Sequence, residues 1–370
     1  MKAIGIILAG GNSFRMKELG NKRAIAAMPV AASYRAIDFS LSSMSNSGVA
    51  KVAVMTQYSS RSLHEHLSTS KWWNFGQKMG GLVIFTPTIT MDNGFWYRGT
   101  ADAIYQNLSF LRKSHEPYVI IAQGDGIYKI DYNKILERHI ETKADITIVA
   151  KELPEDVDVT RYGHVKLNEN GELLDFEEKP ENPTGRLCST GIYIVRRRLL
   201  MELVEQAVAE GHFDLVNDVI LRNRQKLHIY GYRLQNYWAS ISSVADYYRV
   251  NMDFLKPEVR NYFFKEYPDV YSVVGDMPPA KYNPGSNVHN SLIGSGSIIN
   301  GSVSDSVIGK RVFVGNDCTI KNSIILHDVY IGDHTTIENC ILEARDTIQT
   351  GSHYIGEGEP RIVIEKNDRY

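Results

Sequence analysis

The sequence predicts an α/β domain followed by a left-handed parallel β-helix, and two observations carry this prediction. Strand-like apolar runs alternate with helix-like runs through the first half of the chain, an order typical of a parallel sheet with helices on both faces. From residue 286 onward the helical period disappears, and aliphatic residues return at steps close to six. Because the two patterns occupy separate stretches, they indicate two domains.

Length and composition narrow the class of protein. At 370 residues the chain exceeds the size of most single cores, and we predict an α/β domain over residues 1–255, a linker over 256–285 and a β-helix over 286–370. Lys plus Arg count 41 against 43 Asp plus Glu, so no general field favours nucleic acid or an anionic membrane. Three cysteines without metal spacing suggest reduced thiols, and no apolar run nears a membrane span. We expect a cytoplasmic protein.

The chain opens with a strand that ends in two glycines. Residues 4–9 (IGIILA) are apolar and branched, as in a buried parallel strand, and Gly10 and Gly11 follow. Glycines at the end of such a strand let the backbone approach a ligand, and the next amides together with Arg15 suit phosphate oxygens. A nucleotide site is one interpretation; a tight strand-to-helix turn without a ligand is the other.

Further strands and helices follow in alternation. Strands are predicted over residues 51–56, 82–86, 118–122 and 146–150, and helices over 41–47, 60–67, 101–111 and 134–142. Asp125 follows the third of these strands, at the sheet edge where ligands of parallel sheets bind. A carboxylate there suits Mg²⁺ beside phosphates, although a turn or helix-capping role is the plainer interpretation.

The last 85 residues repeat at a fixed step. From Ile308 the aliphatic positions advance by six, six and five to Val314, Ile320 and Ile325, and the same three steps follow again. Branched pairs also recur directly after a small polar residue, as at Asn322-Ser323-Ile324-Ile325. This is the signature of a hexapeptide β-helix, in which each coil buries its aliphatic residues against the next. A meandering all-β domain would not produce the same steps twice.

Several motifs together resemble the bacterial glucose-1-phosphate adenylyltransferases (ADP-glucose pyrophosphorylases). The motifs occur in the family's order, from about residue 4 to 348: residues 46–49 (NSGV), 57–58 (QY), 62–63 (SL), 96–103 (WYRGTADA), 124–129 (GDGIYK), 176–180 (FEEKP) and 237–238 (YW). The resemblance implies a Rossmann-like sugar nucleotidyltransferase domain. It also implies the family's reaction, in which ATP and glucose 1-phosphate give ADP-glucose and pyrophosphate, with Mg²⁺, as the committed step of glycogen biosynthesis.

The resemblance also implies roles for individual residues. Arg15 and Asp125 take the catalytic positions, and Asp125 is the first metal ligand. The implied nucleotide-binding residues are Gly10, Gly11, Gly99, Thr100 and Asp125. The implied sugar-phosphate residues are Tyr97, Glu178, Lys179, Ser189, Gly191 and Asp214. Taken alone, Lys179 would be an ordinary solvated lysine, and its motif favours contact with the phosphate of glucose 1-phosphate.

The chain departs from the family pattern on the nucleotide side. Ser13 and Phe14 replace the third glycine and the threonine of the loop, and Gly126 replaces a histidine. Residues 85–89 (FTPTI) lack the family's glutamines. Ile25 stands at a lysine position, and Ser240 stands where the second metal aspartate belongs. Because nucleotidyl transfer joins two anions, the loss of such charges lowers the expected rate severely.

Three functional hypotheses follow. The combination of losses resembles the regulatory, GlgD-type glycogen-biosynthesis subunit, which implies a catalytic adenylyltransferase subunit as partner, a homo- or heterotetramer, and anionic metabolite effectors. The alternative is an active adenylyltransferase that uses Asp125 for magnesium. The third is a β-helix acyltransferase using His289, His327 or His334, although each of these is more simply a turn residue.

Other candidate sites are weaker. Arg196, Arg197 and Arg198 form a charge run that suits an anionic effector or a solvated face, and residues 72–75 (WWNF) suit packing more than stacking on a base. The resemblance implies an effector pocket that collects basic residues. Its candidate members are Arg35, Lys51 and Arg311.

Overall fold

The computed structural model describes residues 2–11, 14–76, 81–88, 94 and 96–365. The chain forms two compact units, each built from separate stretches. The first unit comprises Met1–Gly11, Phe39–Ser60 and Leu67–Trp238, and the second comprises Asn12–Asp38, Arg61–His66 and Ala239–Tyr370.

The second unit includes Asn12–Asp38, an early stretch of the chain that lies within the first domain predicted from the sequence. The Tyr247 hydroxyl donates to the Pro29 carbonyl at 2.7 Å, and the Ala31 amide donates to Asn251 Oδ1 at 3.0 Å. Bonds between residues more than 200 positions apart leave no local pattern in a sequence. The sequence therefore gives no sign of this segment's place in the second unit.

The first unit is organised by one mixed sheet. Its path runs Leu173–Glu178, Gly163–Leu167, Leu187–Arg196, Tyr118–Gln123, Ala3–Leu8, Lys51–Met55 and Gly81–Phe85. Off this path, Ile146–Glu152 pairs with Leu187–Arg196, and Ile229–Arg233 pairs with Ile146–Glu152. The predicted strands of the first half are present, and those from Ala3–Leu8 to Gly81–Phe85 pair in parallel. The sheet as a whole is mixed, because the strand Leu187–Arg196, which was not predicted, runs antiparallel to Tyr118–Gln123 and Ile146–Glu152.

Helices cover the described chain near the predicted positions, mostly with earlier starts. The α-helices are Ala36–Asn46, Arg61–Leu67, Thr100–Gln106, Leu108–Arg112, Tyr132–Glu141, Arg197–Ala209, Val244–Asp253 and Pro257–Phe264; a π-helix spans Leu215–Leu221, and 3-10 turns span Phe14–Gly20, Ile25–Ala27, Ser70–Trp73 and Val159–Arg161. The predicted helix 101–111 divides at Asn107, whose side chain donates to the Ala103 carbonyl. None of the helices in the described parts of the chain has the length and apolar character needed to cross a bilayer.

Residues 281–363, all described, form a β-helix of three parallel sheets with five strands each. The sheets are Lys281–Tyr282, Ile298–Ile299, Phe313–Val314, Tyr330–Ile331 and Thr347–Ile348; Asn287–His289, Ser302–Ser304, Thr319–Lys321, Thr336–Glu338 and His353–Ile355; and Leu292–Ile293, Val307–Ile308, Ile324–Ile325, Cys340–Leu342 and Arg361–Val363. The first strand lies within the stretch predicted as a linker. This arrangement fits the predicted left-handed β-helix.

The hexapeptide steps are confirmed as core positions. Ile308, Val314 and Ile320 are buried, as are the four positions that continue their steps. Ile308 pairs with Ile325, and Ile325 with Leu342, one coil apart. The Asn or Asp two positions before each branched pair also has a physical role. Asn290, Asp305, Asn322 and Asn339 all adopt φ between 40° and 51°, a left-handed region that Asn and Asp tolerate better than other side chains.

Candidate functional site

The glycine turn and Asp125 lie at the same edge of the sheet. Leu8 pairs with Gln123, and the Gly124 amide donates to the Leu8 carbonyl at 3.0 Å, so the two strand ends are adjacent. A Cβ on Gly10 would lie 3.2 Å from Gln57 Cβ, a close approach that favours glycine. A Cβ on Gly11 would meet no described residue within 4 Å. The predicted strand-end site is thus a real juxtaposition in the first unit.

The next residues of the loop belong to the second unit. Phe14 is 86% exposed, and the guanidinium of Arg15 lies 5.6 Å from its ring centroid. Ser13, at the position of the family's third glycine, lies outside the described residues, as does Ile89 of the glutamine-poor run. A large exposed aromatic beside Arg15 is therefore what this loop presents in place of a small residue.

Tyr97, Gly99, Thr100 and Asp214, four of the predicted ligand residues, lie on two loops that hydrogen bond to each other. Thr100 Oγ1 accepts from the Leu215 amide at 2.8 Å and donates to Asp214 Oδ2 at 3.3 Å. A Cβ on Gly99 would collide with the Phe213 backbone, so only glycine fits there. The Tyr97 amide donates to Gln57 Oε1 at 2.9 Å. Because Gln57 also lies close to Gly10, these contacts link the glycine turn to the loop that carries Tyr97 and Gly99.

Glu178 and Lys179 form a local ion pair. Lys179 Nζ lies 3.2 Å from Glu178 Oε1. Burial raises the pKa of Glu178, the Lys179 charge opposes that rise, and Asp214 adds to it, which places Asp214 within electrostatic reach. Lys179 has a φ of 49°, unfavourable for a lysine, and its amide donates to the Tyr162 carbonyl at 3.2 Å. Such strain concentrates at functional positions.

Ser189 and Gly191 complete this group around a residue that the sequence did not single out. Ser189 Oγ lies 3.2 Å from the Tyr193 hydroxyl and accepts from the Gly191 amide at 3.3 Å. Gly191 has a φ of 72°, and a Cβ there would lie 2.6 Å from Gln123 Cγ. Burial raises the pKa of Tyr193, and Glu178 and Asp214 raise it further. We call Tyr97, Glu178, Lys179, Ser189, Gly191 and Asp214 the sugar-phosphate side.

Asp102 is a second residue that sequence reasoning missed. It is fully buried and accepts from the Arg98 amide at 2.9 Å, from Arg98 Nη2 at 2.7 Å and from Gln106 Nε2 at 2.9 Å. The Arg98 guanidinium lies 3.8 Å from the centroid of the Phe213 ring. The sequence carried no signal of this burial, because an aspartate in the first helical turn is usually exposed. Asp102 fixes the loop that carries Tyr97 and Gly99.

Two positions where the family resemblance implies a lysine and a metal-binding aspartate, Ile25 and Ser240, are buried in the second unit. Ile25 and Ser240 are each 8% exposed; Ile25 begins a 3-10 turn, and Ser240 ends the strand Trp238–Ser240. No group of three or more His, Cys, Asp or Glu side chains that could hold a metal occurs in the described residues. Asp125 is the carboxylate that the sequence predicts as a Mg²⁺ ligand, and substrate phosphates would have to supply further ligands there.

Basic side chains gather in the second unit. We call Arg23, Arg35, Lys310 and His327 the cationic cluster. Burial and the charges of Arg23, Arg35 and Lys310 lower the pKa of His327 to about 4, against a weaker opposing effect of Asp328. Burial lowers the pKa of Lys310, where Arg35 and Arg311 act against Asp38, and burial also lowers that of Arg35.

The nearby carboxylates are already engaged. Asp38 accepts from the Arg35 amide at 2.8 Å and lies 2.6 Å from His66 Nε2. Asp328 binds Arg311 through both oxygens, at 2.5 and 2.8 Å. The basic side chains of the cationic cluster thus lie within electrostatic reach of one another while Asp38 and Asp328 are bound elsewhere, a condition that favours binding of an anion. Of the effector residues predicted from sequence, Arg35 is in this cluster and Arg311 adjoins it.

The remaining candidates have structural partners or exposed positions. Lys51, in the first unit, lies 3.7 Å from Glu116. Arg196 pairs with Asp145, and Arg197 donates to the Glu116 and Leu111 carbonyls, both at 2.8 Å. Trp73 is fully buried, as packing requires. His289 and His334 are exposed.

Comparisons with known proteins agree with this architecture. A family model described as "Nucleotidyl transferase" matches residues 4–257, and one described as "GlmU-like, C-terminal hexapeptide" matches residues 278–361. The fold and site thus define a nucleotidyl transferase with a hexapeptide domain.

Individual relatives narrow the class. Glucose-1-phosphate adenylyltransferase of Geobacillus stearothermophilus is 34% identical over 323 residues, covering 86% of this chain and 83% of the relative. The Clostridium novyi (strain NT) protein of that name is 35% identical over 320 residues (86% and 84%), and that of Bacillus subtilis (strain 168) is 36% identical over 325 residues (86% and 84%). The chain belongs to the glucose-1-phosphate adenylyltransferase family.

Proposed function

We propose that this chain is a regulatory, catalytically weak subunit of glucose-1-phosphate adenylyltransferase, acting in glycogen biosynthesis beside a catalytic subunit. The observation that carries the proposal is the pair of positions 25 and 240. Each is buried and uncharged where the family resemblance implies a lysine and a metal-binding aspartate. Loss of one preorganised charge commonly costs about a hundred- to a thousand-fold in rate.

Binding of the sugar phosphate is part of the same proposal. The sugar-phosphate side retains its implied residues. Hydrogen bonds hold the loop that carries Asp214, and Lys179 has a strained backbone. Glucose 1-phosphate is the ligand we assign to it, and ATP or ADP-glucose would approach the glycine turn. When Mg²⁺ accompanies the nucleotide, it supplies charge neutralisation between the two anions, and Asp125 is the residue that would hold it.

Regulation is assigned to the cationic cluster, as a site for an anionic metabolite. Burial lowers the pKa values of Lys310 and His327, and neighbouring positive charges lower them further; this grouping of basic side chains supports the assignment. The flat faces of the β-helix suit assembly with a homologous subunit, and a homo- or heterotetramer is the assembly we propose. Buried, unpaired cysteines suit the reducing cytoplasm.

A mixing assay tests the proposal. Pyrophosphate release from ATP and glucose 1-phosphate is measured for this chain alone, for a catalytic glucose-1-phosphate adenylyltransferase subunit alone, and for the two together. We expect this chain alone to be at least about a hundred-fold slower than the catalytic subunit. We also expect the mixture to exceed the catalytic subunit alone. No effect on the partner would contradict the regulatory role.

An active enzyme is the second candidate, favoured by Asp125 lying at the same sheet edge as Gly10. It predicts ordinary turnover by the chain alone, and loss of that turnover in Asp125→Ala. Glu155→Ala, at an exposed position, serves as the matched control. Turnover of the chain alone that Asp125→Ala leaves unchanged would contradict this candidate.

A further inference from the structure

Arg23 and Glu343 form a buried ion pair within the second unit. Arg23 Nη2 lies 2.5 Å from Glu343 Oε1, and the two side chains are 10% and 0% exposed. Glu343 Oε1 also accepts from the Ala344 amide at 2.6 Å. The pair joins residues 320 positions apart. It fixes the segment after the first 3-10 turn to the β-helix.

Both partners keep a polar atom without a bond. Arg23 Nη1 and Glu343 Oε2 are buried and have no hydrogen-bond partner among the described residues. A buried arginine–carboxylate pair is usually bidentate, and an unmatched buried polar atom is costly. Atoms of this kind in a folded protein commonly indicate a bound water or ion. This contact is therefore only half of the arrangement that its two side chains can make.

The same guanidinium belongs to the cationic cluster. The charge of Arg23 lowers the pKa of His327 and of Arg35, so it lies within electrostatic reach of both. Asp38 and Asp328 are engaged by Arg35, His66 and Arg311. Glu343 is accordingly the carboxylate that neutralises Arg23, while Nη1 remains as a donor toward any further acceptor.

We propose that Glu343 is a tethered counter-anion that holds Arg23 and sets the affinity of the cationic cluster for an external oxyanion. The inference rests on the proposed effector site and adds its regulation. An oxyanion that bonds Arg23 must either displace the Glu343 carboxylate or bind beside it. In both cases the fixed negative charge opposes binding, because like charges repel strongly where water is excluded. The intramolecular carboxylate also has a high effective concentration at Arg23.

Isothermal titration calorimetry with inorganic phosphate tests this on the full chain at low ionic strength. Glu343→Gln removes the charge and keeps the shape, and we expect its phosphate Kd to fall about tenfold below that of the unchanged chain. Glu338→Gln is the matched control, since Glu338 lies on the same β-helix in an exposed pair 3.5 Å from Lys321. Its Kd should equal that of the unchanged chain. Arg23→Met should weaken phosphate binding.

A second variant guards against misfolding of Glu343→Gln. Glu343→Asp keeps the charge but withdraws it by one methylene, and we expect phosphate binding about threefold tighter than in the unchanged chain. If the unchanged chain binds phosphate and both Glu343 variants leave Kd unmoved, the tethered-anion proposal is overturned and the effector site stands. If neither the unchanged chain nor the variants bind phosphate, both fail together.

Discussion

The sugar-phosphate side and the cationic cluster both gather charged groups, but they neutralise them differently. On the sugar-phosphate side each charge has a partner within the unit: Lys179 pairs with Glu178, and Asp214 accepts from Thr100 and from backbone amides. In the cationic cluster, burial and neighbouring positive charges lower the pKa values of Lys310 and His327, and the local carboxylates already have other partners. The first region is organised without a ligand, whereas the second is electrostatically incomplete.

This difference separates geometry from charge as sources of binding. A preorganised loop needs little reorganisation to receive a sugar phosphate, so its affinity depends on hydrogen bonds that are already placed. An unbalanced cluster gains most from the arrival of an anion, so its affinity depends on salt and on pH. Removing a fixed partner from the first region should therefore cost stability. Replacing a titratable group in the cationic cluster should change how the free energy of unfolding depends on pH.

The largest effect is expected from Asp102→Ala. It removes the acceptor of three donors from Arg98 and Gln106 in a fully buried position, and it leaves a cavity. The expected loss in the free energy of unfolding is about 3 to 5 kcal/mol. Urea denaturation measures it, with exposed Asp156→Ala as the control, expected within about 0.5 kcal/mol of the unchanged chain. Equal stability of the two variants would mean that this loop is not held by Asp102.

His327→Gln should change how stability depends on pH. The pKa of His327 is lowered from 6.5 to about 4 in the folded chain, so the unfolded chain binds more protons between these values. Stability therefore rises with pH across this window and is lost as pH falls, by at most about 3 kcal/mol. We expect Gln to abolish this component. Urea denaturation at several pH values compares the variant with the unchanged chain.

His289→Gln is the control for that comparison, because His289 is exposed. Its stability profile should follow the unchanged chain. If His327→Gln also follows the unchanged chain, then His327 is not held neutral by burial and by the charges of Arg23, Arg35 and Lys310, and the electrostatic contrast between the two regions is wrong.

Local patterns in the sequence were enough for much of the fold. Ile308, Val314 and their successors revealed the β-helix because every coil repeats the same burial, and Ala3–Leu8 was recognisable because a buried parallel strand is continuously apolar. Two features were not predictable. Leu187–Arg196 pairs antiparallel with its neighbours in the sheet, and residues 14–38 belong to the second unit. Both depend on pairings between distant residues, which no window of sequence contains.

The candidate site divides in the same way. Asp125 and Gly10 were predicted from strand ends, which topology brings together. Tyr193 and Glu343 were missed, because a tyrosine in a strand and a glutamate in a β-helix look ordinary until burial and distant partners are known. Arg35 was identified as a candidate effector residue through the family resemblance. The other basic side chains around it could be recognised only from the structure, because Arg23, Lys310 and His327 are distant from it or from one another in sequence.

Thr100→Val should give the smallest of these effects. The change keeps the shape but removes the hydroxyl that accepts from the Leu215 amide and donates to Asp214, so it should cost about 1 to 2 kcal/mol in the free energy of unfolding. Glucose 1-phosphate should bind several-fold more weakly, because Asp214 loses one of the bonds that orient it. Thr100→Ser retains the hydroxyl and should restore both quantities in denaturation and calorimetry. If Thr100→Ser is as weak as Thr100→Val, the methyl group rather than the hydrogen bonds organises the sugar-phosphate side, and geometry there depends on packing.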